Sequence, residues 1–275
     1  MKSKDIRKLA ANPRFIPGVY NYCDRWCERC PLSNRCLNHA MEQAEDDPAE
    51  SGAARDLSNR KFWDRLHRKF QGTLEMLHED AEARGIDLED PKLQAEVKAQ
   101  ERAERRRAAK NRPLTRAAMA YVQAADKWFE AARPLFAAKG IELETLVRLE
   151  TGNPQADAAE LSEFVEVIRW YQHFIYVKLC RAIESRAGEE LETDGEMKQF
   201  PKDSDGSAKI ALIAMDRSIS AWAGLREALG DDPDGVLDLL AQLAAIRRET
   251  EKLFSEARAF VRAGFDEPRA VLAGA

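Results

Sequence analysis

Four of the five cysteines in this 275-residue chain lie within fourteen residues, with the spacing C-x3-C-x2-C-x5-C. They are Cys23, Cys27, Cys30 and Cys36, whereas Cys180 lies far along the sequence. An exposed thiol oxidises and adds little to packing, so a loop seldom collects cysteines without a shared use for them. Supplying thiolates to one metal centre is such a use. The spacing therefore predicts a metal site in this segment.

The spacing favours an iron–sulfur cluster, most simply [4Fe–4S], over a zinc ion. Structural zinc sites generally use two separated pairs of ligands, whereas all four cysteines here belong to one short loop. A cubane cluster is often held by closely spaced thiolates with a proline after one ligand, as Pro31 follows Cys30. Zinc and free redox-active thiols stay open as alternatives. His39, three positions after Cys36, could replace one thiolate.

Three resemblances concern the cysteine segment, and the third of them also includes a later stretch of the chain. The stretch C-E-R-C-P-L-S-N-R-C resembles the iron–sulfur loop of some helicase-associated nucleases and DNA glycosylases, which implies ligand chemistry alone. The C-x3-C-x2-C motif also resembles that of radical S-adenosylmethionine enzymes, but Arg29 replaces their usual aromatic residue and the strands of their barrel are missing. The opening F-I-P-G-V-Y-N-Y-C-D-R-W-C-E-R-C and the later R-W-Y-Q-H-F-I-Y-V-K resemble a family of uncharacterised bacterial proteins, which implies no activity.

The rest of the chain has the apolar period of helices. Trp63, Leu66, Phe70, Leu74 and Leu77 recur at three- and four-residue intervals, and Gly85 closes that helix. Further helices are expected near residues 91–112, 119–132, 142–149, 157–186, 207–229 and 236–263, with Pro134 as an interruption and Gly140 as an end. The helix at 157–186 has the widest apolar surface and is expected to be the most buried. Because alternating β-branched runs are missing, the sequence predicts an all-α, up-and-down helical bundle.

Composition divides the chain into three parts. Residues 1–43 form the predicted cysteine-ligated metal module. Residues 44–57 contain A-E-D-D-P-A-E-S-G-A-A-R-D, have almost nothing to bury, and are predicted to be a linker. Residues 58–275 are the predicted helical bundle.

A second site is suggested by two pairs of residues. Glu75 and His78 form an E-x-x-H motif, which ferritin-like di-iron proteins use twice together with two further carboxylates. The nearest substitute for the second copy is Glu166 and His173, which flank Arg169 on the most apolar helix. Buried Glu and His side chains need partners, so an ion-pair network is the simpler interpretation. A metal or small-molecule site inside the bundle is the alternative.

Charge and hydropathy restrict partners and location. The net charge is −5, and the basic stretch at 102–116 is interrupted by Glu104 and lacks interleaved aromatic residues, which argues against a nucleic-acid partner. The longest apolar stretch is much shorter than a membrane span, and the N-terminus has no apolar signal region, so we expect a cytoplasmic protein.

The sequence leaves three functional classes open. The first is an iron–sulfur protein in electron transfer or redox sensing, with a redox or protein partner that the residues do not identify. The second is a non-enzymatic interaction scaffold stapled by zinc or an iron–sulfur cluster. The third is an enzyme with a metal or small-molecule site inside the bundle around Glu166 and His173.

Overall fold

The computed structural model describes residues 3–45, 60–193, 195, 200–230 and 234–266. The regular structure within these ranges is helical and includes no β-strand, which confirms the predicted all-α fold. None of the helices in the same ranges combines the length and the apolar character that a membrane span requires.

The α-helices are numbered in chain order. They are α1 (Ser3–Ala10), α2 (Leu37–Glu45), α3 (Arg60–Ala83), α4 (Pro91–Ala108), α5 (Arg112–Ala131), α6 (Arg133–Arg148), α7 (Pro154–Glu189), α8 (Asp203–Leu229) and α9 (Val236–Leu253). Short 3-10 turns occupy Cys27–Arg29, Ser33–Arg35, Ala109–Asn111 and Ala257–Ala259. A proline lies in the first turn of α5, α6 and α7, where its missing N–H removes no helical hydrogen bond.

The chain divides into two compact units. The first contains Met1–Glu101 and Val261–Ala275, and the second contains Arg102–Phe260. Of the predicted linker at 44–57, only residues 44 and 45 are among the described residues. The predicted division into 1–43, 44–57 and 58–275 therefore stays a prediction.

The second unit contains a four-helix bundle. Helices α5, α7, α8 and α9 pack in that cyclic order, each against two neighbours, and α6 lies against α7 and α8. The pairing of α7 with α8 is antiparallel: Ser204 near the start of α8 donates to Glu189 at the end of α7, 2.9 Å away. At the opposite end, Gly224 of α8 faces Phe164 of α7. This arrangement is the predicted up-and-down bundle.

Helix α8, rather than α7, has the larger number of buried residues. The apolar surface of α7 is only partly covered, and Val177 is exposed. On α8 a stripe of small residues is fully buried, namely Ser207, Ala211, Ala214 and Ser218. At Gly224 a Cβ atom would lie 2.4 Å from Cζ of Phe164, so only glycine lets the ring approach the helix this closely.

Aromatic residues with paired polar atoms fill one part of the bundle core. The rings of Trp222 and Trp128 meet edge to face with centroids 4.9 Å apart. The indole N–H of Trp222 donates to the hydroxyl of Tyr121 at 2.9 Å, and that of Trp128 donates to the carbonyl of Asp234 at 3.0 Å. Burial raises the pKa of Tyr121 well above its ordinary value, so the hydroxyl that accepts the bond from Trp222 stays neutral.

Two helix ends differ from the sequence prediction. Gly140 lies inside α6 instead of ending a helix, because the cost of glycine in a helix is small enough for packing to override. Helix α9 ends at Leu253 rather than near residue 263. Phe254 leaves the helical conformation (φ −122°, ψ 72°) and is buried, and the guanidinium of Arg186 lies 5.6 Å from its ring centroid.

The first unit has a much smaller core. Among its described residues the buried apolar side chains are Phe15, Ile16, Val19 and Ala81. Helix α1 lies against α3, and Arg7 donates to Glu79 at 3.2 Å and to Asp80 at 3.1 Å through exposed ion pairs. Exposed pairs of this kind add little stability. So few buried side chains seldom stabilise a unit without a further cross-link.

Candidate metal centre

The cysteine segment folds as an irregular loop whose ends are joined by hydrogen bonds to backbone carbonyls. The N–H of Ile16 donates to the carbonyl of Arg35 at 3.1 Å, and Nε of Arg14 donates to the carbonyl of Asn34 at 3.0 Å. The loop contains 3-10 turns at Cys27–Arg29 and Ser33–Arg35, and Arg25 adopts a left-handed conformation with φ 60°. These bonds join the two ends of the cysteine segment.

All four clustered cysteines border one small cavity. Cys23, Cys27, Cys30 and Cys36 are each half-buried, and none of them is in a disulfide. The remaining cavity wall includes His39, Asp24, Trp26 and Phe265. The predicted ligands therefore converge on a common space that is only partly screened from water.

The electrostatics of the cavity disfavour several thiolates at once. The pKa of Cys27 is raised to about 11, first by burial and then by the charges of Glu42 and of the other three cysteines. The pKa of Cys30 is also raised, again mainly by burial, although the N–H of Leu32 donates to its sulfur at 3.4 Å and opposes the shift. A bound cation reverses this balance because it stabilises each thiolate.

A second set of ligand atoms overlaps the cysteines. Single ligand atoms of Cys27, His39 and Glu42 all lie within 4.8 Å of one another. His39 and Glu42 are one turn apart on α2, so their side chains leave the same face of that helix. The sequence predicted His39 as a possible ligand but not Glu42, although the three-residue spacing of Glu42 from His39 was the available signal.

Aromatic and basic groups surround the loop. The guanidinium of Arg29 lies 3.9 Å from the ring centroid of Trp26, and Trp26 and Arg25 both border the cavity. Positive charge beside a metal–thiolate centre offsets its negative charge, and aromatic rings restrict access of water.

The C-terminal part of the first unit also contributes to the site, which was not predicted from the sequence. Phe265 borders the cavity. Gly264 has a left-handed φ of 74°, and a Cβ atom there would lie 3.1 to 3.3 Å from Ile16, Val19 and Leu32. Nothing in the local sequence signals this contact, because the two segments are far apart along the chain.

The four residues suggested for a second site lie at the surface. Glu75 and His78 are exposed on α3, where Nδ1 of His78 lies 2.8 Å from the carbonyl oxygen of Leu74. Glu166 and His173 are exposed on α7, whereas the sequence suggested that they face the bundle interior. The interior location is thus corrected: a helix with a wide apolar surface still has a polar, solvent-facing side.

The polar residue that α7 does bury is Gln172. Its amide donates to the carbonyl of Val122 at 2.9 Å and to Asp126 at 2.8 Å, and Arg169 donates to the same Asp126 oxygen at 2.8 Å. The hydrogen bond from Gln172 is the main cause of the lowered pKa of Asp126, followed among the lowering effects by Arg169. Gln172 continues the spacing of the buried Ile168 and Ile175, which was the signal available in the sequence.

Comparisons with protein-family models, with curated proteins and with solved structures gave no match. The family resemblance of the N-terminal segment stays a prediction. The chemistry of the site is therefore inferred from its own residues.

Proposed function

We propose that the first unit binds a [4Fe–4S] cluster through Cys23, Cys27, Cys30 and Cys36, and that the protein serves in electron transfer or redox sensing. The observation that most supports this proposal is the convergence of all four free cysteines on one cavity. Four thiols from one loop fit the ligand requirement of a cubane cluster. The cytoplasm, where thiols stay reduced, is the proposed location.

The surroundings of the cysteines suit a redox centre. A bound cluster would supply one-electron chemistry, and the protein would adjust its potential through charge, hydrogen bonds to sulfur and exposure. The hydrogen bond from Leu32 to Cys30 and the cation–π pair of Arg29 with Trp26 are such contacts. The half-buried cysteines leave the centre near enough to the surface for electron exchange with a partner.

A second candidate is an interaction scaffold with a structural zinc ion. The proximity of Cys27, His39 and Glu42 favours it, because zinc accepts sulfur, nitrogen and oxygen ligands together. The small apolar core of the first unit supports a structural role for the bound metal, whether it is a zinc ion or an iron–sulfur cluster.

Metal analysis of protein purified without oxygen separates the two candidates. We expect about four iron and four sulfide per chain, with broad visible absorbance that dithionite bleaches. A colourless protein with about one zinc per chain would overturn the iron–sulfur proposal and leave the scaffold. A cluster that cannot be reduced reversibly would overturn the redox role and leave the cluster with a structural role only.

Variants identify the ligands. Cys27→Ser and Cys36→Ser should each abolish iron binding, whereas Cys180→Ser, another half-buried free cysteine on α7, should leave the iron content unchanged. His39→Ala should keep the iron if four cysteines hold the cluster. Loss of the metal from His39→Ala and from Glu42→Ala would instead assign the mixed ligand set.

A further inference from the structure

A groove of about 1010 Å³ runs between α5 and α9, and the residues that line it all belong to the second unit. The two helices are antiparallel, because the indole N–H of Trp128 near the end of α5 donates to the carbonyl of Asp234, just before α9 begins. The groove extends from Lys110 to Ala124, which is about 21 Å along the helix axis. Its volume is near the upper limit of small-molecule sites. Its length suits an extended chain.

Small and apolar side chains form most of the wall of this groove. They include Leu114, Ala117, Ala120 and Ala124 of α5, and Ala245 and Ile246 of α9. The alanines leave open a space between the helices that larger side chains would fill. Ala117, Ala120 and Ala245 are exposed, so an apolar ligand lying on them would remove apolar surface from water.

The basic residues of the groove lie at one end of it. Lys110 immediately precedes α5 and Lys252 lies one residue before the end of α9, so the antiparallel packing brings both lysines to the same end. In the described ranges neither lysine is in an ion pair. Of the described residues that line the groove, Glu249 is the only acidic one and lies one turn before Lys252, while Asn111 and Gln242 are polar but uncharged. The groove is therefore mostly apolar, with a net positive end.

We propose that this groove binds a long-chain fatty carboxylate, with the carboxylate beside Lys110 and Lys252 and the acyl chain along the alanines of α5. Such a ligand has one negative end and no further polar group, which matches the distribution of charge in the groove. The flexible apolar stem of a lysine can follow the wall while its ammonium group stays in water beside the carboxylate.

The acyl chain supplies most of the affinity in this arrangement. Each methylene group that leaves water contributes to binding, whereas ion pairs at an exposed end contribute less. The site uses residues of the second unit, so it does not depend on the metal proposed for the first unit.

Equilibrium dialysis of the full chain against dodecanoate tests the proposal. We expect one saturable site per chain. Decanoate is two methylene groups shorter and should bind about fifteenfold more weakly, at about fourfold for each methylene group. Dodecylamine has a chain of the same length but a positive end, and it should bind at least about tenfold more weakly than dodecanoate.

Charge variants test the position of the carboxylate. Lys110→Gln/Lys252→Gln should weaken the binding of dodecanoate by about threefold to tenfold at low salt. Glu249→Gln removes the acidic neighbour and should strengthen it. The control is Lys127→Gln, which changes an exposed lysine of α5 outside the groove and should leave the affinity unchanged.

Filling the groove tests the position of the acyl chain. Ala120→Phe places a ring in its space and should weaken binding at least about tenfold. The control is Ala138→Phe at an exposed position of α6, which should bind as the wild type does. Unchanged circular dichroism of both variants would show that their fold is retained. Failure of the wild type to retain dodecanoate, equal retention of dodecylamine, or equal binding by Ala120→Phe would overturn the proposal and leave the groove to another occupant, such as a helix of a partner protein.

Discussion

Gly224 lies where the packing of the bundle leaves no space for a larger side chain. A Cβ atom there would lie 2.4 Å from the Phe164 ring, so Gly224→Ala must displace the ring or the helix. We expect the free energy of unfolding of the second unit to fall by about 1–3 kcal/mol, the usual cost of overpacking. Urea denaturation followed by circular dichroism measures this change.

Gly140→Ala is the matched control for Gly224→Ala. Gly140 also lies inside a helix of the second unit, but a Cβ atom there would meet nothing within 4 Å. Because alanine is the better helix former, this substitution should stabilise the unit by up to about 1 kcal/mol. Equal effects of the two substitutions would show that the contact with Phe164 does not limit the packing.

Tyr121 provides a buried hydroxyl whose loss has two separable effects. Tyr121→Phe leaves the indole N–H of Trp222 without its acceptor and should cost about 1–3 kcal/mol. The pKa of Tyr121 is raised in the folded state, so its stabilisation is complete below the unfolded pKa of about 10 and is lost as the pH rises further. The variant should therefore lose stability less steeply above that pH. Identical alkaline slopes for the two proteins would contradict this.

At the scale of the helices, sequence periodicity predicted most of the architecture. The all-α fold, the helix around Phe70 and the break at Pro134 follow from local spacing and from the missing N–H of proline. The end of α9 at Leu253 could not be predicted from the spacing of apolar residues. It depends on the burial of Phe254, which the local sequence does not reveal. The convergence of the cysteines on one cavity agrees with their spacing, whereas Phe265 joins them only through the fold.

Asp126 joins α5 to α7 through Gln172 and Arg169 and gives this pair of helices an acid-sensitive contact. The pKa of Asp126 is lowered, so its stabilisation is present above the unfolded pKa of about 3.9 and is lost as the pH falls through the folded pKa. Asp126→Asn should cost about 0.5–1.5 kcal/mol at neutral pH and less under acid conditions. Denaturation at several pH values measures this difference.

The control for Asp126→Asn is Glu130→Gln, which removes the carboxylate of the exposed pair with Arg133 on the solvent side. Such a pair is expected to contribute below about 0.5 kcal/mol at any pH. A pH-independent loss in Asp126→Asn would show that the hydrogen bond from Gln172, rather than the charge, provides the stability.

At the scale of the whole molecule, the two units differ in what stabilises them. The second unit buries many large side chains, including Trp222, Ile168 and Leu243, so apolar packing is expected to stabilise it without a metal. The described part of the first unit buries Phe15, Ile16, Val19 and Ala81, and its loop places four thiols around a cavity. Metal binding to thiolates can supply the folding free energy that such a small core lacks.

Removal of the metal should therefore loosen the first unit alone. In amide hydrogen exchange on the full chain, chelation should increase exchange in residues 13–45 and 261–266, including the N–H of Ile16 that donates to Arg35. Helices α5, α7, α8 and α9 should exchange as before, because their protection comes from apolar packing. Cys36→Ser should reproduce the effect and Cys180→Ser should not. Equal exchange in the metal-loaded and metal-free chains would mean that the loop folds without a metal, and increased exchange throughout the bundle would mean that the second unit depends on the metal as well.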